Sequence, residues 1–206
     1  MNEQLSALEQ DIGFLKALAV EGRSTPFVGG SILVAAGLIF GTASLAQWAV
    51  TTGHIPNFGG WTFPAIWVAA MAAFFVGLFV ALRRLGPKKA SDTANRAFGV
   101  AWSGAGWTIF CMFVCAAIIA WRTHSDATMM LMPSIVLSLY GLCWTVAASM
   151  SRRRWLWACA WGSYVAAVTV AVFSSQNGVY LIFAAALVLL VAIPGAALVR
   201  RARAAA

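Results

Sequence analysis

The histidines are the first candidates for chemistry in this chain, because imidazole binds metal ions and exchanges protons near neutral pH. There are two, His54 and His124, and Asp126 follows His124 by two positions. Two imidazoles and one carboxylate could hold a transition metal if the segments that carry them meet. The alternative is that Asp126 caps a helix start and His124 lies at a membrane interface. No HxxxH or HExxH spacing supports the metal site, so the sequence favours the alternative.

The cysteines are the next candidates. Cys111 and Cys115 are four positions apart and share a helical face, where a copper ion or a redox pair could form. Cys143 and Cys159 lie elsewhere, and thiols in apolar helices otherwise act as small packing groups, which is the interpretation we favour. No GxSxG, phosphate-binding loop or zinc pattern occurs, so the sequence predicts neither a catalytic residue nor a cofactor.

Aromatic residues form a third candidate site. Such rings could line a pocket for a lipid, a quinone-like ring or a soft cation, because aromatic faces bind all three. The alternative is that they fill the interior or face lipid. The candidates are Trp102, Trp107, Tyr140, Trp144, Trp161 and Tyr164.

All of these residues lie on or between six apolar stretches. Hydrophobic residues make up 62% of the 206-residue chain, and charged residues make up 10%. About 20 apolar residues in a helix cross a bilayer, and backbone groups in lipid must bond within their own segment. The sequence therefore predicts an all-α integral membrane protein, with a six-helix bundle in residues 25–200. The spans fall near 27–50, 61–82, 98–121, 128–150, 155–173 and 179–199.

The six spans carry no charge in their interior. No Asp, Glu, Lys, Arg or His lies deep within any of them. Ion-coupled carriers and proton relays depend on such groups, so the pattern disfavours a charge-driven transporter. A transporter or channel for a small uncharged or aromatic solute remains the alternative function.

The basic residues lie almost entirely on one side of the predicted membrane. Every Lys and Arg except Arg122 falls near a terminus, in the second-to-third connection or in the fourth-to-fifth connection. Positive residues stay on the cytoplasmic side, so both termini are predicted to be cytoplasmic, with residues 201–206 as a basic tail. The net charge of +8 then indicates contact with anionic lipid headgroups rather than nucleic-acid binding.

Residues 1–24 are the one predicted soluble element. Spacings of three and four residues place Leu5, Leu8, Ile12 and Leu15 on one apolar stripe, which predicts an amphipathic helix. The polar face is acidic, unlike that of helices that bind membrane surfaces. We expect this cytoplasmic helix to contact a partner protein, a second copy or the chain's own spans.

Small residues predict where the spans pack, because helices in lipid associate through close contact. Gly37 and Gly41 have GxxxG spacing in the first span. A small-residue ridge in the second span predicts a helix against that face, from the same chain in a monomer or from a second copy in a homodimer. The ridge consists of Ala65, Ala69, Ala73, Gly77 and Ala81.

The spans could form three tandem hairpins. Pro64 and Arg83, near the start and just after the end of the second span, recur at one offset as Pro133 and Arg152 around the fourth. The alternative is that early proline and closing arginine recur in any membrane hairpin. The three-hairpin plan with Gly-rich spans resembles the six-span acid-resistance membrane proteins of bacteria in architecture alone, and no residue role follows from that resemblance.

The functional prediction is a non-enzymatic, multi-pass protein of the bacterial inner membrane. It would act as a sensor, an anchor or an accessory subunit through its cytoplasmic face, with a cytoplasmic or membrane protein as partner. The bacterial source is inferred from the short loops and from a composition rich in Ala, Arg and Trp.

Overall fold

The computed structural model describes most of the predicted membrane domain. Its backbone is described for residues 29–85, 93–151 and 153–204, and its side chains for 29–83, 96–151 and 153–204. Of the residues in these ranges, 88% are helical and none forms a strand. The predicted N-terminal helix, with Leu5, Leu8, Ile12 and Leu15, lies outside the described residues.

Six of the described helices are long and apolar enough to cross a membrane, which agrees with the predicted number of spans. They are α1 Gly30–Thr51, α2 Thr62–Leu85, α3 Thr93–Thr123, α4 Met132–Ser151, α5 Arg154–Val172 and α6 Val179–Ala204. A 3-10 helix at Asp126–Leu131 precedes α4, and a π-helical turn at Val188–Ala192 interrupts α6. The largest differences from the predicted bounds are at α3, which begins at Thr93 rather than near 98, and at α6, which continues into the basic tail.

Helix α6 is the most buried of the six. It packs along α1 with all three of its segments and also contacts α5. Half of its most apolar window, 50%, is buried, against 6% for α2 and 11% for α3. Helix α2 packs on α1 and α3 packs on α4, so both lie at the periphery of the packed helices. Their exposed apolar faces are surfaces of the kind that lipid acyl chains cover in a membrane.

A polar contact joins α2 to α1. The indole N–H of Trp67 donates to the Oε1 of Gln47 at 2.6 Å. The ring of Phe40 in α1 also packs on α2, with its centroid 5.3 Å from that of Phe74 and 6.4 Å from that of Trp67. The hydrogen bond satisfies an amide that would otherwise be costly in lipid, so it fixes how α2 lies on α1.

Candidate functional site

Glycines bring the backbones of α1 and α6 into direct contact. A Cβ built on Gly30 would lie 2.8 Å from the carbonyl oxygen of Gly195, and one built on Gly195 would lie 2.8 Å from the carbonyl oxygen of Gly30. A Cβ on Gly37 would lie 2.7 Å from the backbone nitrogen of Ala192 and 2.9 Å from the carbonyl oxygen of Leu187. No side chain fits at these distances, so this approach requires glycine.

The π-helical turn of α6 is linked to α4 by a buried tryptophan. Proline has no N–H, so Pro194 cannot donate to the carbonyl four residues earlier, that of Leu190. The indole N–H of Trp144 donates to this carbonyl at 2.9 Å. Because Trp144 is 0% exposed, the bond forms inside the protein. A side chain from another helix thus bonds to the backbone of this irregular stretch of α6.

Trp144 is one of the six predicted pocket residues, and two others lie against it or its neighbours. The ring of Trp102 lies 5.1 Å from that of Tyr140 and 5.4 Å from that of Trp144, measured between centroids. Phe98, a residue outside the predicted set, has its ring centroid 6.4 Å from that of Trp144. These are distances of direct ring contact, and both Tyr140 and Trp144 are buried. The four rings form a packed cluster in which each ring contacts at least one other.

The other three predicted pocket residues lie elsewhere. Trp107 and Trp161 are 70% and 65% exposed, so they face the surroundings of the protein. Tyr164 pairs with Trp161 at 6.0 Å between ring centroids. Its ring also lies against Gly141, where a built Cβ would be 2.7 Å from the Tyr164 Cε1. The six candidate residues therefore lie at different places in the structure and do not line one pocket.

The histidines lie in the connections after α1 and after α3. The Nδ1 of His54 shares a hydrogen bond with the Oγ1 of Thr52 at 2.8 Å, and its ring stacks on Trp48 at 5.1 Å. His124 has a φ of 51° directly after α3. Neither histidine forms part of a group of three His, Cys, Asp or Glu side chains that could hold a metal ion, as far as the described ranges extend.

The interpretation of Asp126 as a helix cap is wrong. The N-cap of the 3-10 helix is Ser125, whose hydroxyl oxygen accepts from the backbone N–H of Ala127 at 3.4 Å. Asp126 is the first residue of that helix, one position too late to cap it. Its carboxylate still lies at the helix N-terminus, where negative charge is favourable.

The four cysteines differ in their exposure. Cys111 and Cys115 are exposed on α3, whereas Cys143 and Cys159 are buried. The Sγ of Cys143 donates to the carbonyl oxygen of Ala101 at 3.5 Å, which joins α4 to α3. The buried thiols act as packing groups, and the exposed pair lies on an apolar helix surface.

The two predicted small-residue faces have different surroundings. Gly41 lies with Gly37 against α6, since a Cβ built on Gly41 would be 3.4 Å from the Val188 Cγ2. On the small-residue ridge of α2, by contrast, Ala65, Ala69 and Ala73 are exposed. No described atom comes within 4 Å of a Cβ built on Gly77. The homodimer stays a prediction, with this ridge as the face that it would use.

The starts of α1, α3 and α5 and the end of α6 lie together, at what we call the basic end. The start of α1 contacts α3, because a Cβ on Gly29 would lie 2.7 Å from the Phe98 Cε1. The guanidinium of Arg201 lies 5.1 Å from the centroid of the Trp155 ring. Burial and the nearby charge of Arg201 lower the pKa of Arg153. Arginines from two helices are thus held close enough to repel each other.

An open groove of about 320 Å³ lies between α1 and α6 at the basic end. Its walls are almost entirely apolar and are formed by Ser31, Val34, Ala196, Val199 and Arg200. This groove could not be predicted from the sequence, because its valines and alanine carry no motif and Arg200 indicates only topology. A second groove, of about 330 Å³, lies at the opposite end beside Trp121, Arg122 and His124.

No protein family, curated protein or solved structure matches this chain.

Proposed function

We propose that the chain is a non-enzymatic, multi-pass protein of the bacterial inner membrane, acting as an anchor or accessory subunit through its basic end. In this proposal the basic end faces the cytoplasm and binds anionic groups of a partner protein and of lipid. The observation that carries the proposal is the concentration of arginines there, with Arg154 at the start of α5 and Arg200, Arg201 and Arg203 in the last turns of α6.

The charges at the two ends of the helices are unequal. The basic end carries Arg153 and Arg154 at the start of α5, and further arginines in the last turns of α6. Across the described segments, the one carboxylate side chain is that of Asp126, which lies at the opposite end. An anionic partner or headgroup would be attracted by the positive charge of the arginines at the basic end, so the basic end is suited to binding.

The packing gives less support to the alternative, a channel or transporter for an uncharged or aromatic solute. Such a path requires polar or aromatic groups around an open space. Trp102, Tyr140 and Trp144 instead contact one another directly. Trp107 and Trp161 face outward, where they cannot line a path through the helices.

Photo-crosslinking in cells tests this proposal. A photoreactive phenylalanine analogue at Ala204, exposed at the basic end, should give a protein adduct of discrete mass. The matched control places the same analogue at Phe58, which is 83% exposed in the connection after α1. Changing Arg200, Arg201 and Arg203 together to Gln should reduce the adduct at position 204 about tenfold, because exposed charge pairs contribute ~0.2–1 kcal/mol each.

Two results would contradict the proposal. One is the same adduct pattern from positions 58 and 204, since binding would then not be a property of the basic end. The other is an adduct at position 204 whose yield is unchanged in the triple Gln variant. Equal amounts of each variant in the membrane fraction are the control for insertion.

A further inference from the structure

We propose that the groove between α1 and α6 binds one anionic phospholipid, with an acyl chain against its apolar walls and the phosphate at Arg200 and Ser31. This inference deepens the proposed function and depends on it, because the cytoplasmic leaflet is the one that carries the negative surface potential. The charge pattern alone indicates that anionic lipid contacts the basic end as a whole. The groove would be a defined site for one such lipid.

The shape of the groove suits an acyl chain. Its volume is about 320 Å³, and it is open to the surroundings of the protein, where a bilayer supplies acyl chains. Val34, Ala196 and Val199 supply apolar walls from two helices. The backbones of those helices are locked together by the contact between Gly30 and Gly195, so the groove is preformed. A preformed site loses little conformational entropy when it binds a ligand.

The polar groups of the groove suit a phosphate. Arg200 is an exposed residue that borders the groove, and a guanidinium matches the geometry of phosphate oxygens. Ser31 contributes a hydroxyl from the first turn of α1, a helix of 22 residues whose N-terminus carries partial positive charge. Arg201 and Arg203 follow in α6 and add to the positive potential. The carboxylate of Asp126, the one acidic side chain within the described ranges, lies at the other end and does not compete.

The apolar walls decide between a phospholipid and other anions. A free phosphate ion would leave Val34, Ala196 and Val199 uncovered, so these residues would contribute nothing to its binding. An acidic peptide would place backbone N–H and C=O groups against walls that offer them no hydrogen bonds, which is costly. A phospholipid satisfies both parts of the groove, and the bilayer supplies it at the required depth.

Native mass spectrometry of the full chain in detergent tests this assignment. Phosphatidylglycerol is titrated against phosphatidylcholine with the same acyl chains. Inorganic phosphate is added separately as a competitor that has no acyl chain. The wild-type protein should retain one phosphatidylglycerol in preference to phosphatidylcholine, and phosphate should not displace it at equal concentration. Arg200→Gln should weaken retention about fivefold, the effect expected for one basic contact.

A second variant blocks the groove without changing charge. Ala196→Phe fills the space between the walls from an exposed position and should reduce retention about tenfold, the equivalent of ~1.4 kcal/mol. Arg83→Gln is the matched control, because Arg83 also lies near a helix end but its guanidinium is 4.2 Å from the ring of Phe79 in its own helix. Arg83→Gln should leave retention unchanged.

Retention that is unchanged in both Arg200→Gln and Ala196→Phe would overturn the assignment, as would equal retention of phosphatidylcholine. Displacement by inorganic phosphate at equal concentration would show an anion site in place of a lipid site. If retention fails these tests while the adduct at position 204 persists, the groove is wrong and the proposed function stands. If the adduct is absent but retention responds as expected, the proposed function fails while the groove stands.

Discussion

Gly37→Ala is expected to destabilise the protein by about 1–3 kcal/mol, the usual cost of forcing an extra carbon into a packed interior. The added Cβ would lie 2.7 Å from the backbone nitrogen of Ala192 and 2.8 Å from its Cβ. Backbone atoms cannot rotate away as a flexible side chain can, so α1 and α6 must separate. The free energy of unfolding is measured by titrating sodium dodecyl sulfate into mixed micelles and recording circular dichroism.

Gly106→Ala is the matched control for this change. No described atom comes within 4 Å of a Cβ built on Gly106 in α3. Alanine favours a helix by up to about 1 kcal/mol over glycine, so this variant should be neutral or slightly more stable. Equal effects at positions 37 and 106 would show that the contact between α1 and α6 does not hold the protein together.

Trp144→Ala is expected to cost about 3–5 kcal/mol, the range for removing a large aromatic side chain from a packed interior. Trp144 is 0% exposed and contacts the rings of Phe98 and Trp102. It also donates the 2.9 Å hydrogen bond to the carbonyl of Leu190, which Pro194 cannot satisfy. The melting temperature of the detergent-solubilised protein, followed by loss of the monodisperse chromatographic peak, measures the effect.

One further variant separates the hydrogen bond of Trp144 from its packing, and a second variant is the control. Trp144→Phe keeps a ring but removes the donor, so it should cost about 1–3 kcal/mol for the unpaired carbonyl. Trp161→Ala removes a tryptophan that is 65% exposed and should change the melting temperature little. A Trp144→Phe variant as stable as the wild type would show that the π-helical turn does not depend on this hydrogen bond.

The helices themselves could be predicted because lipid imposes one simple requirement. A span needs about 20 apolar residues with every backbone group bonded internally, and that requirement is visible in composition alone. The six stretches accordingly coincide with six described helices that are long and apolar enough to cross a membrane. Helix ends were less predictable, since α6 continues through its arginines to Ala204 without a glycine or proline to stop it.

The details of packing could not be predicted, because they depend on which residues face each other across helices. GxxxG spacing marked Gly37 as a contact residue, but not that Ala192 would be its neighbour. A proline inside a helix usually produces a kink, whereas the described irregularity near Pro194 is a π-helical turn before it, with Trp144 bonded to the carbonyl of Leu190. The aromatic residues shared a region of sequence, yet helical rotation placed Trp107 outside and Trp144 inside.

The side of the membrane that the basic end faces is the most direct test of the account. In a variant without its four native cysteines, one cysteine is placed at Ser175, between α5 and α6, or at Ala204. Spheroplasts are then treated with a membrane-impermeant maleimide before and after the membrane is opened. The account predicts that Ser175→Cys reacts in closed spheroplasts and that Ala204→Cys reacts only after opening. Reaction of Ala204→Cys in closed spheroplasts, with Ser175→Cys protected, would contradict it.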